Sequence, residues 1–113
     1  MVAFEALIGF ETLVNKTPIP LVVFNRISAV LTAFHEAGFV HGDVRDVNIM
    51  TLKADMSSFK IIDFDWSGRI GQARYPPNLN NQTITRPGGA VGGNLITAPH
   101  DIAMLNYLRG SGD

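Results

Sequence analysis

Cysteine is absent from all 113 residues. Neither a disulfide framework nor a thiolate zinc site can form, which excludes a secreted mini-protein stapled by bridges and leaves the redox compartment open. Also lacking is any excess of charge. Nine basic residues face ten acidic ones for a net charge of −1, and the basic residues are spread singly from Lys16 to Arg109. A nucleic-acid footprint or an anionic-membrane surface needs clustered cations, so neither is expected. Long apolar runs are missing too: no stretch approaches the roughly 18 apolar residues of a membrane span. The partly apolar start, Met1 to Val14, is interrupted by Glu5 and Glu11 with no basic region before it. No signal peptide is therefore expected, and the protein should be soluble. The length suits one domain with a modest core, and no internal repeat is visible.

What the chain does contain is a set of periodic segments around a polar centre, and the fold class they predict is α+β. Phe4, Leu7, Ile8, Phe10, Leu13 and Val14 fall at mixed helical spacing, so residues 4–14 read as a short helix weakened by Gly9. Thr17-Pro18-Ile19-Pro20 stops that segment and starts the next, because proline is tolerated in a helix's first turn and not in its interior. From Leu21 to Ala37, the residues Val23, Ile27, Val30, Leu31 and Phe34 recur at steps of three and four. This predicts a helix with a core-facing stripe, with Arg26, His35 and Glu36 mainly on the other face and Gly38 ending it in a left-handed conformation.

Val47 to Leu52 and Phe59 to Trp66 read as strands joined by Lys53-Ala54-Asp55-Met56-Ser57-Ser58, a polar connection suited to a hairpin. Pairing Leu52 with Phe59 places Asn48 directly opposite Asp63, with Asp65 on the same face by the period of two. Between Trp66 and Pro99 lie six of the eleven glycines and four of the six prolines. That segment reads as a long loop, and Gly88-Gly89-Ala90-Val91-Gly92-Gly93 inside it lacks the spacing and the preceding strand of a phosphate-binding fingerprint. Ile102 to Leu108 resumes helical spacing, and Gly110-Ser111-Gly112 is expected to fray.

The hairpin register gathers chemistry. Asp43, Asp63, Asp65 and Asn48 would converge on a small volume, and two like charges about 4 Å apart repel by about 4 kcal/mol at an effective dielectric near 20. A divalent cation removes that conflict, and all-oxygen ligands favour magnesium or manganese over zinc. Asp46 reads as a solvated loop residue and His35 as an exposed helix residue.

The spacing His41-Gly42-Asp43-Val44-Arg45-Asp46-Val47-Asn48, followed by Ile62-Asp63-Phe64-Asp65, resembles the catalytic and metal-binding loops of protein kinases. That family has His-Arg-Asp-x4-Asn and Asp-Phe-Gly, so each motif here departs at one position. The His-Gly-Asp form also resembles aminoglycoside and choline phosphotransferases. With Ala73-Arg74-Tyr75-Pro76 and His100-Asp101, the wording is most similar to a fungal group of protein-kinase-like proteins, over residues 21–108. The resemblance implies a kinase C-lobe-like fold: a catalytic loop at 41–48, a metal-binding loop at 63–65, an activation-segment-like stretch at 66–99 and a tail at 109–113.

It further implies ATP as co-substrate, Mg2+ or Mn2+ as cofactor and a protein hydroxyl as acceptor, serine or threonine rather than tyrosine, in an intracellular setting, cytoplasmic or nuclear. Asp43 would accept the substrate's proton, Arg45 would neutralise charge on the transferring phosphate, and Asp63 with Asn48 would hold the metal, joined by Asp65. Arg45 stands where serine/threonine protein kinases have lysine, a planar fork in place of a point charge. His41 and Asp101 would be structural supports, Asp101 bracing the catalytic loop through backbone contacts.

Gly42 removes the arginine that holds a phosphorylated activation loop in many kinases, so phosphorylation-dependent ordering of 66–99 is not expected. Upstream of Leu21 there is no glycine-rich strand-turn-strand, no Val-Ala-Ile-Lys-like lysine and no partner glutamate, and Lys16 stands alone in a turn. The chain thus reads as a truncated catalytic half, inactive without the nucleotide-binding lobe and exposing a lobe interface that a partner could cover. The alternative is a non-catalytic, pseudokinase-like scaffold or a truncated gene product.

Overall fold

The computed structural model describes residues 9–109. Residues 4–8 of the helix expected at 4–14, and residues 110–113 of the expected tail at 109–113, lie outside the described residues. The described part of that first segment is a strand, β1 (Phe10–Thr12), not a helix. It pairs antiparallel with β3 (Ile49–Leu52), through Phe10 opposite Leu52 and Thr12 opposite Met50. Helical spacing there was a poor guide because a tertiary partner supplies the ladder bonds, which overrides a weak local preference.

α1 (Leu21–Glu36) forms where the periodicity placed it. Val23, Ile27 and Leu31, four residues apart, are its buried stripe, whereas Val30 is 49% exposed. Pro20 stands at its N-cap in an extended conformation, and Gly38, at φ 97°, turns the chain away from the other end. The chain then runs through β2 (Phe39–Val40), a 3-10 turn at Asp46–Asn48, β3 and β4 (Asp55–Ile61). After β4 come β5 (Gly68–Arg69), which pairs with β2, and the last helix α2 (Ala98–Tyr107). The two sheets, β1-β3-β4 and β2-β5, with two helices make an α+β architecture. Its main core joins Ile27 and Leu31 of α1 to Val44, Ile49 and Leu105, and a second cluster gathers Val40, Tyr75, Ala90 and Ile96.

The hairpin exists, but its register differs from the expected one. Thr51, not Leu52, faces Phe59, and Ile49 faces Ile61. A bulge between Thr51 and Leu52 lets Leu52 pair with Asp55, so β4 begins inside what read as a polar loop. Asp55 explains the misreading. Its carboxylate accepts bonds from the Ser57 amide at 3.0 Å and the Ser57 hydroxyl at 2.6 Å, satisfying polar groups while the backbone stays extended. Because side chains alternate with a period of two, this one-residue slip removes the predicted opposition of Asn48 and Asp63. Asn48 ends the 3-10 turn and accepts a backbone bond from Ile62 at 2.8 Å. Asp63 lies beyond the strand at φ 59°.

α2 starts earlier than its apolar spacing suggested, because Thr97 caps it by accepting from the His100 amide at 3.2 Å and Pro99 sits in its first turn. Truncation of the α1 stripe checks this core. Ile27→Ala should destabilise by about 2–5 kcal/mol in urea unfolding, and Val30→Ala by under about 1 kcal/mol. Equal losses at both positions would contradict the orientation of α1.

Candidate functional site

A buried aspartate and a buried histidine hold the loop at 41–48. Asp101, in the first turn of α2, is 1% exposed. Its Oδ1 accepts from the Gly42 amide at 2.9 Å, and its Oδ2 accepts from the His41 amide at 2.8 Å and meets Nε2 of His35 at 2.9 Å. His35 is therefore not the exposed helix residue its position suggested. It reaches from the end of α1 into this carboxylate. The His41 ring is fully buried, with Nδ1 accepting from the Asp43 amide at 3.0 Å. The ring proton then belongs on Nε2, which donates to the Ile62 carbonyl at 2.9 Å. Phe64 meets the same ring edge-on at 4.8 Å between centroids.

Gly42 is required by this geometry. Its φ is 94°, and a Cβ there would lie 2.8 Å from Cδ1 of Ile96 and 3.3 Å from Cβ of Trp66. An arginine at this position has neither the backbone conformation nor the space.

Asp43 is buried and lines a cleft of about 370 Å³ together with Arg45, Asp63, Asp65, Trp66 and Arg86. Its Oδ1 accepts from Nε of Arg45 at 2.8 Å, and Oδ2 from Nδ2 of Asn48 at 3.0 Å. The Asn48 amide also donates to the Asp43 carbonyl at 2.8 Å, so Asn48 supports Asp43 and does not line the cleft. Two terminal nitrogens of Arg86 reach Oδ1 at 3.4 and 3.5 Å.

Asp63 and Asp65 lie on the exposed rim, joined by a long bond of 3.4 Å from the Asp65 amide to Oδ1 of Asp63. The three carboxylates thus share a cleft without forming a cluster. Among the described residues, no group of three or more His, Asp or Glu side chains is placed to hold a metal ion. The like-charge conflict is relieved at Asp43 by two guanidiniums. Arg86 carried no local signal, since it sits 43 residues along the chain in a Gly- and Pro-rich stretch. Asp46 is half-buried, its carboxylate bonded to the following amide of Val47 at 2.8 Å.

Behind the cleft, Trp66 meets the buried Tyr75 edge-on at 6.4 Å, and the Tyr75 hydroxyl bonds Nδ1 of His100 at 3.1 Å. Burial, and then the negative charge of Asp101, push the Tyr75 phenol up to about 12 from an ordinary 10.0. The folded state thus resists tyrosinate formation that the unfolded chain undergoes. The stability this confers is fully present below pH 10 and is lost as the pH rises towards about 12. Urea unfolding across that window should show a falling stability whose slope flattens in Tyr75→Phe, and an unchanged slope would refute the burial assignment. Two further variants test the loop. Asp101→Ala and Gly42→Ala should each lower stability by roughly 2 kcal/mol or more, the first by orphaning two buried amides and the second by backbone strain and collision with Ile96. No protein-family model matches the chain, and no curated protein shows significant sequence similarity to it.

Proposed function

We propose that the chain is the catalytic half of a protein-kinase-like phosphotransferase, with a C-lobe-like fold, moving the γ-phosphoryl group of ATP to a serine or threonine hydroxyl of a protein. The observation that carries this reading is the His41-to-Asn48 loop, whose amides are held by the buried Asp101 and whose Asp43 shares one cleft with Asp63 and Asp65. A base, an amide and a pair of acids at this spacing suit a reaction that depends on positioning and charge neutralisation.

In the proposed reaction the acceptor oxygen forms a bond to the γ-phosphorus, the bond from that phosphorus to the bridging oxygen breaks, and ADP leaves. Asp43 accepts the proton of the attacking hydroxyl. Arg45, 2.8 Å from Asp43, orients the carboxylate and faces the transferring phosphoryl oxygens. Asn48 anchors Asp43 from behind through its amide hydrogens.

The acids on the rim fit a magnesium or manganese ion. Asp63 and Asp65 are exposed and form no ion pair among the described residues, and two carboxylates with room for water are the ligand set that magnesium accepts. Asn48, which bonds Asp43 and does not line the cleft, stands outside that set. The bound cation would neutralise the β- and γ-phosphate oxygens.

A second reading, a non-catalytic binding module, draws on the occupancy of Asp43. Both its oxygens already accept from arginine or asparagine, which leaves few of a carboxylate's roughly four acceptor positions for a substrate. Calorimetry of ATP with magnesium decides between them. A phosphotransferase active without a further lobe should show binding by the wild type, loss in Asp63→Ala, and retention in Asp43→Asn with phosphoryl transfer reduced by at least about 100-fold. No binding at millimolar ATP refutes a self-sufficient enzyme, and transfer surviving in Asp43→Asn refutes the base.

A further inference from the structure

Arg86 lies in the middle of the Gly- and Pro-rich segment, where an arginine is ordinarily solvated. Its side chain is instead 2% exposed. Nε donates to the Asn80 carbonyl at 3.0 Å, and the guanidinium carbon stands 5.5 Å from the centre of the Trp66 ring. The terminal nitrogens point at Oδ1 of Asp43. Burial of a guanidinium is unfavourable unless a counter-charge accompanies it, and among these anchors only Asp43 carries one.

The other anchors tie Arg86 to its own segment. Asn80 is fixed by accepting from the Gln82 and Thr83 amides at 3.0 and 3.1 Å, and Trp66 leads through Tyr75 to His100. The distances indicate which partner holds which. Arg45 grips Asp43 at 2.8 Å, whereas Arg86 reaches it at 3.4 Å, so Asp43 is positioned without Arg86 while Arg86 depends on Asp43.

We infer that Arg86 is an electrostatic latch, a positioning residue whose pairing with Asp43 docks residues 79–96 over the cleft and takes up an acceptor position on that carboxylate. Docking of the segment and availability of Asp43 are then two readings of one contact. The polarity is opposite to that of a phosphate-ordered loop: the cation belongs to the segment and the acid to the loop, so no modification is needed to close it. The latch rests on geometry alone. Only its effect on turnover rests on the phosphotransfer reading, because Asp43 must give up Arg86 before it can meet a hydroxyl.

The test needs no nucleotide. Native-state hydrogen exchange over residues 79–96, and acrylamide quenching of Trp66, the only tryptophan in the chain, are compared in wild type, Arg86→Gln, Arg86→Lys, Asp43→Asn and the Arg86→Gln/Asp43→Asn double variant. Exchange over 79–96 and quenching should rise about tenfold and measurably, respectively, in both neutralising variants, with α1 amides unchanged, a tenfold change corresponding to about 1.4 kcal/mol. The double variant should be no faster than either single one, and Arg86→Lys should recover part of the protection. Effects that add, or wild-type exchange in Arg86→Gln, overturn the latch. Should Arg86→Gln lose protection in α1 as well, Asp43→Asn, which keeps the shape of the side chain, decides alone: wild-type exchange over 79–96 in that variant overturns the proposal. Absence of ATP binding leaves these outcomes unaffected, so failure of the latch and failure of the phosphotransferase reading are separable.

Discussion

The carboxylate of Asp101 is the constraint on which the site depends. At 1% exposure it must be fully satisfied, and its three partners come from two places: the His35 ring at the end of α1 and the amides of His41 and Gly42 in the loop after β2. The last turn of one helix, the first turn of the other and the loop between them are therefore pinned at one point. A second buried group extends the constraint. His41 accepts from the Asp43 amide on one side and donates to the Ile62 carbonyl on the other, so a single imidazole sets the spacing between the Asp43 loop and the chain leading into Asp63. The site is arranged by backbone contacts made on groups that face away from it.

The electrostatics divide the acids into two kinds. Asp43 is buried and answered by Arg45, Arg86 and Asn48, while Asp63 and Asp65 stand on the rim in water. Repulsion between nearby acids had suggested a cation, and at Asp43 the cations are part of the chain. Solvent screens the other two, which leaves them open to a ligand without the strain of a preformed cluster. The segment after Trp66, rich in glycine and proline, is held by the same charge balance. Arg86 is buried in it because Asp43 provides the counter-charge, and the Trp66, Tyr75 and His100 side chains continue the contact away from the cleft.

Local periodicity made α1 legible, along with its stop at Gly38 and the existence of the β3-β4 hairpin, since each depends on neighbours within a few residues. It misread β1, whose extended form comes from pairing with β3, a partner about forty residues away. It also missed the register of the hairpin, which shifts at a bulge between Thr51 and Leu52, where Leu52 pairs with an Asp55 whose carboxylate accepts from Ser57. That one-residue difference moved Asn48 from opposite Asp63 to behind Asp43.

The sequence by itself determined the α+β class, the absence of disulfide and thiolate chemistry, and which acids and amides were available near residues 41–65. Those properties follow from composition and short-range pattern. Only the tertiary structure decided what each polar group does: His35 bonded to Asp101, Asn48 supporting Asp43, Asp63 and Asp65 on the rim, and Arg86 buried beside the central acid. The physical reason is common to all of these. A buried charge or amide takes its role from the partner that satisfies it, and here those partners come from chain segments up to 66 residues apart, a separation no local pattern can encode.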